Sequence, residues 1–422
     1  MKVEVTSRKV NGSIKVPSSK SDAHRALICA SLAKNQISVI SNLDINDDIN
    51  ATINALRNLG AKITLNDNKA IVEGSNLDLN KHLEFDANES GSTLRFLIPL
   101  FANFSKTATI KGSKKLLERP LNIYKEIMNE GLTVSNNIML NYKFKPGNYQ
   151  LKGNVSSQFI SGLLFLLPLL DKDSQIEIIE PFESKSYVLL TLNTLNKFGV
   201  NVSLENNLIK IPGNQKYQSI NYEVEGDYSQ AAFFLALGAI NNDLEVEGLN
   251  PSSLQGDKKI IDILISMGAK IEVKENSVKV IKSKLNGTQI DLADCPDLGP
   301  ILMALAPFCE GETHITNIAR LRLKESDRVG AMKEELNKFN VIVKEEENDI
   351  YISKTNIKSP SVEINSHNDH RIAMGLSVLT SSLDNGKMIL NNANCINKSY
   401  PNFYKDLNSI NGMVVELNDW KK

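Results

Sequence analysis

The sequence predicts an α/β protein built from six βαβαββ repeats, arranged as a two-domain inside-out barrel with three repeats in each domain. The main observation is a motif in which a helix-like run stops at a small residue and passes into an alternating strand. Its stop residues are 71, 68, 69, 72 and 72 positions apart, and a fixed period of this kind is typical of a repeat architecture. Gly and Asn tolerate the left-handed conformation that ends a helix. The six stop residues are Gly60, Gly131, Gly199, Gly268, Asn340 and Gly412.

A second observation supports the same repeat: each unit contains an earlier and more apolar helix. Each of these helices opens with Ser, Asp, Asn or Gly, which cap helix N-termini, and is apolar nearly all round, as a buried helix is. Strand-like alternation follows each one, so every unit reads βαβαββ. The six segments are SKSDAHRALICASLA, SGSTLRFLIPLFA, SSQFISGLLFLLPLL, DYSQAAFFLALGAI, DLGPILMALAPFCEG and NDHRIAMGLSVLTS.

The size of the unit predicts how the repeats are grouped. Units of about seventy residues are too small to be stable alone, so we expect them to pack in threes. The three apolar helices of a group would face each other inside, with the sheets outside. We place the seam near VEGDYS, which makes residues 19–224 one lobe. The opening segment, KVEVTSRKVNGSIKVP, precedes the first repeat and fits either lobe by its pattern.

Composition indicates an ordinary globular protein, with 41% hydrophobic and 23% charged residues. The net charge of −1 gives no sign of nucleic acid or an anionic membrane as partner. The N-terminus lacks the apolar core of a signal peptide, and the longest apolar stretch, FISGLLFLLPLL, is too short to span a bilayer. We therefore expect a cytoplasmic protein, with free buried thiols because no C-x-x-C pair occurs. The cysteines are Cys29, Cys295, Cys309 and Cys395.

The starts of the predicted helices carry hydroxyl and basic side chains together. A helix N-terminus presents free N–H groups and about half a positive charge, so such a start with added Lys or Arg forms an anion site. Seven such starts on equivalent ends of repeated units predict one cleft for substrates rich in phosphate and carboxylate. The starts are Ser18–Ser21 with Arg25, Ser90–Thr93 with Arg95, Glu118–Pro120, Ser156–Gln158, Ser184–Lys185 with Tyr187, Lys324–Arg328 and Asp369–Arg371.

Each of these features also has a structural explanation. A Ser pair before an apolar helix is commonly only a cap. Arg25 and Arg95 on buried helices need an anionic partner, which a structural salt bridge would supply as well as a substrate. His367 and His370 are spaced as metal ligands, but no Cys or acidic cluster shows ligand spacing, and we predict no metal. P-loop and dinucleotide-binding glycine motifs are absent from the sequence.

The sequence resembles the enolpyruvyl transferase family, and within it the branch that acts on 3-phosphoshikimate. The resemblance covers essentially the whole chain, with its motifs in the family order. They are PSSKSDAHRAL, SGSTLRF, ERPL, VSSQF, ESKSY, EGDYS, PDLGP, RLRLKESDR, NDHRIAM and NKSYPNF.

This resemblance implies two domains of three βαβαββ units linked by crossover strands, with the active site in the cleft between them. We assign residues 1–18 to the lobe that contains residues 225–422. The implied reaction transfers the enolpyruvyl group of phosphoenolpyruvate to the 5-hydroxyl of 3-phosphoshikimate and releases phosphate, through a tetrahedral intermediate. This step belongs to the shikimate pathway to chorismate and aromatic amino acids. The resemblance implies no cofactor, and we expect a monomer with two small-molecule substrates and no nucleic-acid or membrane partner.

The resemblance also implies roles for individual residues. Asp297 would accept the proton of the 5-hydroxyl, Glu325 would exchange a proton with the methylene carbon, and Lys324 would reach the reacting hydroxyl. Residues implied to bind 3-phosphoshikimate are Lys20, Ser21, Arg25, Ser156, Ser157, Gln158, Ser184, Tyr187, Asp297, Arg320 and Lys324. Residues implied to bind phosphoenolpyruvate are Lys20, Gly91, Arg119, Gln158, Arg328, Arg371 and Lys398. Lys20 is also implied to be catalytic.

Two positions depart from the family pattern, and two other functions remain open. Glu89 replaces the usual Asn and would place a carboxylate near phosphoenolpyruvate, and Arg320 stands where an Asn usually contacts 3-phosphoshikimate. The alternatives are the sister enzyme that acts on UDP-N-acetylglucosamine and a non-catalytic phosphometabolite-binding module. The first normally carries a Cys or Asp in the stretch that here reads KGSKKLLERPL, and the second would have lost Lys20, Asp297 and Glu325.

Overall fold

The computed structural model describes residues 1–77 and 79–417, which form two compact units. The N-lobe is Ser18–Val224, and the C-lobe is Met1–Pro17 together with the chain from Glu225 onward. Six four-stranded sheets divide equally between them. Together with the similar solved structures reported below, this architecture confirms the predicted fold class of six α/β repeats.

Each sheet of the N-lobe joins a parallel strand pair to an antiparallel hairpin. The first sheet, in the order β14-β3-β5-β4, contains β3 (Ile37–Ser41), β4 (Lys62–Asn66), β5 (Lys69–Glu73) and β14 (Asn221–Glu223). The second, β6-β7-β9-β8, contains β6 (Leu79–Asp86), β7 (Ser105–Lys111), β8 (Leu132–Val134) and β9 (Ile138–Leu140). The third, β10-β11-β13-β12, contains β10 (Asn148–Lys152), β11 (Ser174–Ile179), β12 (Ser203–Glu205) and β13 (Leu208–Ile211).

The C-lobe repeats this plan. Its first sheet, β16-β17-β15-β2, contains β2 (Ser13–Lys15), β15 (Leu244–Glu247), β16 (Lys270–Val273) and β17 (Ser277–Ile281). The second, β18-β19-β21-β20, contains β18 (Gln289–Asp291), β19 (Glu312–Thr316), β20 (Val343–Glu346) and β21 (Asp349–Ser353). The third, β22-β23-β1-β24, contains β1 (Lys2–Thr6), β22 (Ile364–Asn365), β23 (Lys387–Asn391) and β24 (Met413–Leu417).

The pairing of the two strands in the opening segment shows where this segment belongs, and β14 shows the corresponding pairing in the N-lobe. Strand β1 pairs antiparallel with β23 and β24 and so completes the last repeat, while β2 pairs parallel with β15 and supplies the first strand of the fourth repeat. Strand β14 pairs parallel with β3 and supplies the first strand of the first repeat. The sequence pattern left this segment open, and strand pairing places both of its strands in the C-lobe.

Thirteen helices lie among the described residues, and the more apolar helix of each repeat is almost entirely buried. The buried set is α1 (Lys20–Leu32), α3 (Gly91–Phe104), α6 (Ser157–Leu166), α8 (Tyr228–Ile240), α10 (Gly299–Leu305) and α12 (His370–Ser381). The others are α2 (Asp47–Asn58), α4 (Lys114–Leu117), α5 (Asn122–Met128), α7 (Lys185–Lys197), α9 (Ile260–Ser266), α11 (Arg328–Lys338) and α13 (Phe403–Ser409). Helices α8, α10 and α12 pack against one another, and α3 packs against α6. The strands alternate buried and exposed residues, so each lobe has helices inside and sheets outside.

The predicted N-caps are correct for four of the six buried helices, and in α12 the cap is Asp369, one residue after the predicted Asn368. A side chain accepts a hydrogen bond from the first turn in α1, α3, α6, α8 and α12. Helix α10 has no side-chain cap, because a short 3-10 helix (Pro296–Leu298) precedes it. Asp297 lies in that 3-10 helix, and its carboxylate is directed to cationic side chains instead.

The predicted left-handed stop residues are correct in four repeats and wrong in two. Four of the predicted residues have φ between 66° and 100°, as a left-handed helix end requires. In the second and sixth repeats, Gly131 and Gly412 are not left-handed, and Asn129 (φ 45°) and Asn411 (φ 70°) take positive φ instead. Asn visits this region more easily than most residues, so each helix ends slightly earlier than the glycine indicates.

Candidate active site

Lys20 is the first residue of α1 in the N-lobe. Its ammonium nitrogen lies 2.7 Å from Asp48 Oδ2, and the two side chains are only 15% and 11% exposed. Asp48 stands in the first turn of α2, where the helix dipole favours a carboxylate. This pair therefore fixes the Lys20 charge at the point where two helix N-termini meet.

Arg25 lies about one turn further along α1 and is 2% exposed. Its Nε donates to Thr191 Oγ1 at 2.8 Å, and its other nitrogens donate to the carbonyl oxygens of Ser21 at 2.5 Å and Tyr187 at 3.1 Å. Burial, only partly opposed by nearby negative charge, lowers the pKa of Arg25 to about 10. The guanidinium is thus held in place by neutral oxygens and keeps its positive charge at neutral pH.

This arrangement decides between the two partners that the sequence left open for Arg25. Among the described residues, no carboxylate oxygen lies within 4 Å of its guanidinium, so the structural salt bridge is absent. The face of the Phe96 ring covers the guanidinium at 5.1 Å. A buried cation without a counter-ion is costly, and binding an anion removes that cost.

Gln158 connects two helix starts of the N-lobe. Its Oε1 accepts a hydrogen bond from Arg95 NH1 at 2.7 Å, and its Nε2 donates to Ser92 Oγ at 2.9 Å. Ser156 caps the same helix, because its Oγ accepts a hydrogen bond from the Gln158 N–H at 3.3 Å. Ser157 follows as the first residue of α6 and is 6% exposed. The amide orientation of Gln158 is therefore set from both sides.

Ser184 and Tyr187 lie at the start of α7. Ser184 precedes the helix with a φ of 52°, in the left-handed region, and its side chain is fully buried. The Tyr187 side chain is half-buried, and its carbonyl oxygen is the one that binds Arg25. The start of α7 is thus joined to α1 through a buried cation.

Gly91 begins α3 and lies against Arg119. A Cβ at position 91 would meet Arg119 NH1 at 2.9 Å, closer than real Cβ contacts occur, so a larger residue would displace the guanidinium. Glu89 lies two residues before Gly91 and is half-buried. Gly91 thus lets the Arg119 guanidinium lie directly against the start of α3.

Asp297 is the centre of a cationic cluster in the C-lobe. Its Oδ1 lies 3.0 Å from Lys324 Nζ and 2.9 Å from Arg328 NH1, and its Oδ2 lies 3.1 Å from Arg371 NH2. Burial would raise the pKa of Asp297, but the three positive charges outweigh it and hold that pKa well below its ordinary value. Asp297 is therefore ionised, and its side chain is 20% exposed.

Arg328 binds three carboxylates at once and is 1% exposed. Its Nε donates to Asp369 Oδ2 at 2.9 Å, its NH1 to Asp297 at 2.9 Å and its NH2 to Glu325 Oε2 at 2.7 Å. Asp369 also caps α12 by accepting a hydrogen bond from the Arg371 N–H at 3.0 Å. Burial opposes ionisation of Asp369, yet the Arg328 charge keeps its pKa below the ordinary value. One guanidinium thus holds both candidate proton-transfer residues.

The remaining predicted residues of the C-lobe lie at the edge of this cluster. Arg320 NH1 donates to the Ala293 carbonyl oxygen at 3.4 Å. Burial is the main cause that lowers the pKa of Lys324. The charge of Arg320 adds to this lowering, and the charge of Asp297 opposes it. Lys398 Nζ donates to the carbonyl oxygen of Asn368 at 2.6 Å, one residue before Asp369.

The structure therefore brings the predicted residues together in two groups, one in each lobe. The N-lobe group is Lys20, Ser21, Arg25, Gly91, Arg119, Ser156, Ser157, Gln158, Ser184 and Tyr187. The C-lobe group is Asp297, Arg320, Lys324, Glu325, Arg328, Arg371 and Lys398. Within each group, hydrogen bonds or ion pairs connect most members.

Sequence reasoning missed the residues that hold these groups in place. Asp369 was noted only as part of a helix start, although it is the shared partner of Arg328 and the α12 N-terminus. Asp48 and Thr191 hold Lys20 and Arg25 from other helices. Their sequence neighbourhoods look like ordinary helix starts and helix interiors, and only the tertiary contacts distinguish them.

One acidic group near α11 has the proximity of metal ligands. Glu334, Glu335 and His367 place one candidate ligand atom each within 4.8 Å of one another. Lys338 Nζ, however, lies 2.8 Å from Glu335 Oε2, and His367 Nε2 lies 2.9 Å from Glu335 Oε1. An ammonium group already neutralises the buried carboxylate, and His370, the other His of the predicted pair, is not in this group.

Comparisons with known proteins agree with the resemblance seen in the sequence. The family model described as EPSP synthase (3-phosphoshikimate 1-carboxyvinyltransferase) matches residues 5–407. A relative named 3-phosphoshikimate 1-carboxyvinyltransferase from Clostridium perfringens (strain 13 / Type A) is 45% identical, with 98% of this chain and 99% of the relative covered. The chain belongs to the EPSP synthase family. A second relative of that name, from Clostridium kluyveri, is also 45% identical and covers 99% of this chain and 98% of its own length.

Solved structures extend the EPSP synthase family likeness to the fold. The EPSP synthase from Acinetobacter baumannii has a TM-score of 0.79 at 24% identity, covering 98% of this chain and 100% of the other. The enolpyruvyl transferase NikO from Streptomyces tendae has the same TM-score at 14% identity, covering 98% of each chain. These identities support a shared fold only.

Two predictions outside the site can also be checked. All four cysteines are free and buried, as predicted. Within residues 1–77 and 79–417, no helix has both the length and the apolar character that crossing a membrane requires.

Proposed function

We propose that this protein transfers the enolpyruvyl (1-carboxyvinyl) group of phosphoenolpyruvate to the 5-hydroxyl of 3-phosphoshikimate. The products are 5-enolpyruvylshikimate 3-phosphate and inorganic phosphate, in the shikimate pathway to chorismate and the aromatic amino acids. Membership of the EPSP synthase family and 45% identity over nearly the full length support this reaction. The observation that carries the proposal is the cluster in which Lys324, Arg328 and Arg371 surround Asp297.

The charges of the two groups suit this substrate pair. Phosphoenolpyruvate and 3-phosphoshikimate each carry a phosphate and a carboxylate, which require fixed cations and N–H donors. In the N-lobe, Arg25 would bind the carboxylate of 3-phosphoshikimate, because it is a buried cation held only by neutral groups. The hydroxyl groups near Ser21, Ser156, Ser157 and Ser184 would surround its phosphate.

Phosphoenolpyruvate would bind to guanidinium and ammonium groups of both lobes. In the proposal these are Lys20 and Arg119 in the N-lobe and Arg328, Arg371 and Lys398 in the C-lobe. Gly91 would let the substrate approach the start of α3, and Gln158 would lie between the two substrates. The reaction thus requires residues of both lobes to act on one substrate pair.

The proposed chemistry proceeds by addition followed by elimination. In the addition step, Asp297 accepts the proton of the 5-hydroxyl, the freed oxygen bonds to C2 of phosphoenolpyruvate, and Glu325 donates a proton to the methylene carbon. In the elimination step, the ionised Glu325 takes a proton from the new methyl group, the C–H electron pair forms the C=C bond, and the C2–O bond to phosphate breaks, with the leaving phosphate taking up the proton held by Asp297. Lys324 would stabilise negative charge on the reacting oxygen. Arg328 contacts both carboxylates, so it can hold the base and the acid in fixed positions.

Asp297 is a weak base as the structure shows it, because three cations stabilise its ionised form. In the proposal, Arg328 and Arg371 also bind phosphoenolpyruvate. An anion placed between these guanidiniums adds negative charge beside Asp297, which raises the pKa of that carboxylate. Substrate binding would then make Asp297 a stronger base at the moment when a base is needed.

Phosphate release with purified protein tests this proposal directly. Phosphoenolpyruvate and 3-phosphoshikimate together should release phosphate, and either substrate alone should release none. Release with UDP-N-acetylglucosamine in place of 3-phosphoshikimate would favour the sister reaction, and binding of both substrates without release would favour a non-catalytic binding module. The proposal also includes a cytoplasmic monomer that needs no metal or cofactor, which gel filtration and an assay in excess chelator address.

A further inference from the structure

Asp257 differs from three other carboxylates of the C-lobe in its surroundings. Asp297, Asp369 and Glu335 each have a Lys or Arg nitrogen within 4 Å. Asp257 is 1% exposed, yet no such nitrogen lies within 4 Å of it in the part of the chain that the structure describes. Its Oδ2 accepts a hydrogen bond from Ser229 Oγ, and its Oδ1 is buried without any hydrogen-bond partner.

Asp257 and Asp297 lie in two short 3-10 helices that pack against the same helix. The 3-10 helix of Asp257 is Gly256–Lys259, and it packs against α8, as does the 3-10 helix that carries Asp297. The charged groups that act on Asp257 are Asp297, Arg371 and Asp227. The neighbouring titratable groups are Tyr228, the buried thiol of Cys295, and Lys258 and Lys259 on its own helix.

We propose that Asp257 is a positioning residue of this site, which competes with Asp297 and phosphoenolpyruvate for the positive charge of Arg371. The proposal rests on the role of Arg371 in the proposed function. When the Asp257 carboxyl is neutral, Arg371 is left to Asp297 and the substrate. When it is ionised, it adds a negative charge that acts on Arg371 and weakens binding of the anionic substrate.

The electrostatics of Asp257 place this change near neutral pH. Burial is the main cause, and the charge of Asp297 adds to it; together they raise the pKa of Asp257 to about 7 against the opposing effects of Arg371 and Ser229. Below that pH the carboxyl is mostly neutral, and above it mostly ionised. Affinity for phosphoenolpyruvate should therefore fall as pH rises through about 7.

The variant Asp257→Asn tests this directly, because it keeps the side-chain shape and removes the charge at every pH. We expect the KM for phosphoenolpyruvate of the wild type to rise, relative to the variant, on the order of tenfold between about pH 6 and 8.5. Both proteins are measured at saturating 3-phosphoshikimate in the same buffers, so the ionisation of the substrates cancels. An Asp257→Asn profile that follows the wild type overturns the proposal.

Two further variants sharpen this test. Ser229→Ala removes the hydrogen bond that favours the ionised carboxylate, so it should move the rise in KM to higher pH, and a move to lower pH contradicts the proposal. Ser229→Ala also keeps the idea testable if Asp257→Asn does not fold. Glu335→Gln removes another fully buried carboxylate of the C-lobe and should keep the wild-type pH profile of KM.

Thermal unfolding gives a readout that does not need activity. A carboxyl whose pKa is raised in the folded state binds an extra proton there between about pH 4 and pH 7, so its contribution to stability falls as pH rises through that range. Asp257→Asn lacks this loss and should melt about 5 °C above the wild type at pH 8. A wild type that is inactive with both substrates overturns the proposed function, and the melting profiles then still decide whether Asp257 ionises near neutrality. Matching profiles in both measurements overturn the inference itself.

Discussion

Two buried guanidiniums, one in each lobe, are held in opposite ways. In the N-lobe, a hydroxyl and two carbonyl oxygens hold the buried guanidinium of Arg25, and burial lowers its pKa to about 10. In the C-lobe, Arg328 is equally buried, yet the charges of Asp369, Glu325 and Asp297 outweigh burial and raise its pKa. The same residue type thus carries an unneutralised charge in one lobe and a fully neutralised charge in the other.

This difference teaches what each lobe must do to bind an anion. In the N-lobe, Arg25 offers a charge that no ion pair occupies, so a carboxylate can bind there without breaking an ion pair. The C-lobe must weaken internal ion pairs before its guanidiniums can bind a substrate. When a substrate anion takes the place of these ion pairs, the basicity of Asp297 changes as well. Binding of an anion to a cation without an ion pair could not have this effect.

The largest expected effect is the loss of activity in Asp297→Asn. Without the proton acceptor, kcat should fall by roughly a thousandfold. The KM for phosphoenolpyruvate should not rise, because Arg328, Arg371 and Lys324 no longer share their charge with the Asp297 carboxylate. Steady-state kinetics with both substrates measure the two constants.

Asp291→Asn is the matched control for this prediction. Asp291 is an exposed residue just upstream, and its carboxylate binds the Ala293 N–H and the Asn317 side chain outside the cluster. We expect it to keep wild-type kinetics. A kcat within tenfold of the wild type in Asp297→Asn would remove Asp297 from the role of base.

The next effect is on stability and comes from Arg328→Met. Removing this guanidinium leaves the carboxylates of Asp297, Glu325 and Asp369 without a shared partner, and breaking a buried ion pair in this way costs about 3–5 kcal/mol. Denaturant unfolding at pH 7 measures the loss. Arg322→Met is the control, because its ion pairs with Asp327 and Glu345 are one-third exposed at the guanidinium, and such pairs contribute less than about 1 kcal/mol.

The pH dependence of the Arg328→Met loss follows from the carboxylates. Asp297 and Asp369 have pKa values below their ordinary range in the folded protein. Their ion pairs therefore stabilise the fold above the ordinary carboxyl pKa of about 4, and this contribution is lost as pH falls through the lower folded values. The difference between wild type and variant should narrow below about pH 4. A constant difference down to pH 3 would show that packing, not charge, causes the loss.

A smaller loss of stability is expected for Arg25→Met in the N-lobe. Its partners are neutral, and neutral hydrogen bonds contribute about 1 kcal/mol each, part of which is recovered because a buried charge is removed. We expect a loss at least 2 kcal/mol smaller than that of Arg328→Met. Its KM for 3-phosphoshikimate should nevertheless rise by about a hundredfold, because a charge-assisted contact contributes roughly 1.5–3 kcal/mol. Equal stability losses in the two variants would contradict the comparison between the lobes.

The fold could be predicted from the sequence because each repeat produces local patterns of apolar and polar residues. Buried helices that are apolar all round and strands that alternate by two residues are visible without tertiary contacts. The misplaced helix ends at Gly131 and Gly412 show the limit, since Asn129 and Asn411 take the positive φ instead. Strands β2 and β14 each pair with a strand about two hundred residues away in the sequence. No local pattern encodes such a pairing.

The candidate site was predictable as a set of residues but not as a set of interactions. Helix starts rich in Ser, Lys and Arg are visible in sequence, and so are the motifs shared with the enolpyruvyl transferases. Which cation meets which acid depends on tertiary structure: Lys20 pairs with Asp48, whereas Arg25, in the same helix, meets only neutral oxygens. Of the two partners that the sequence left open for Arg25, the structural salt bridge is the one that the described residues lack.

The smallest effect concerns Glu89 in the N-lobe. This half-buried carboxylate lies two residues before Gly91, whose Cβ position would be 2.9 Å from Arg119 NH1. If Arg119 binds phosphoenolpyruvate, Glu89 repels that substrate, and Glu89→Asn should lower its KM about threefold, which a partly screened charge explains. The KM for 3-phosphoshikimate should stay unchanged.

Glu130→Gln, an exposed carboxylate of the same lobe, controls for the change in net charge. An unchanged phosphoenolpyruvate KM in Glu89→Asn would show that an arginine already neutralises Glu89, which would then form an ion pair in the N-lobe as Asp48 does with Lys20. A threefold decrease in the KM for phosphoenolpyruvate would instead show that the negative charge of Glu89 weakens binding of this substrate. High salt should reduce that decrease, because screening weakens a partly exposed charge more than the buried contacts of Arg25.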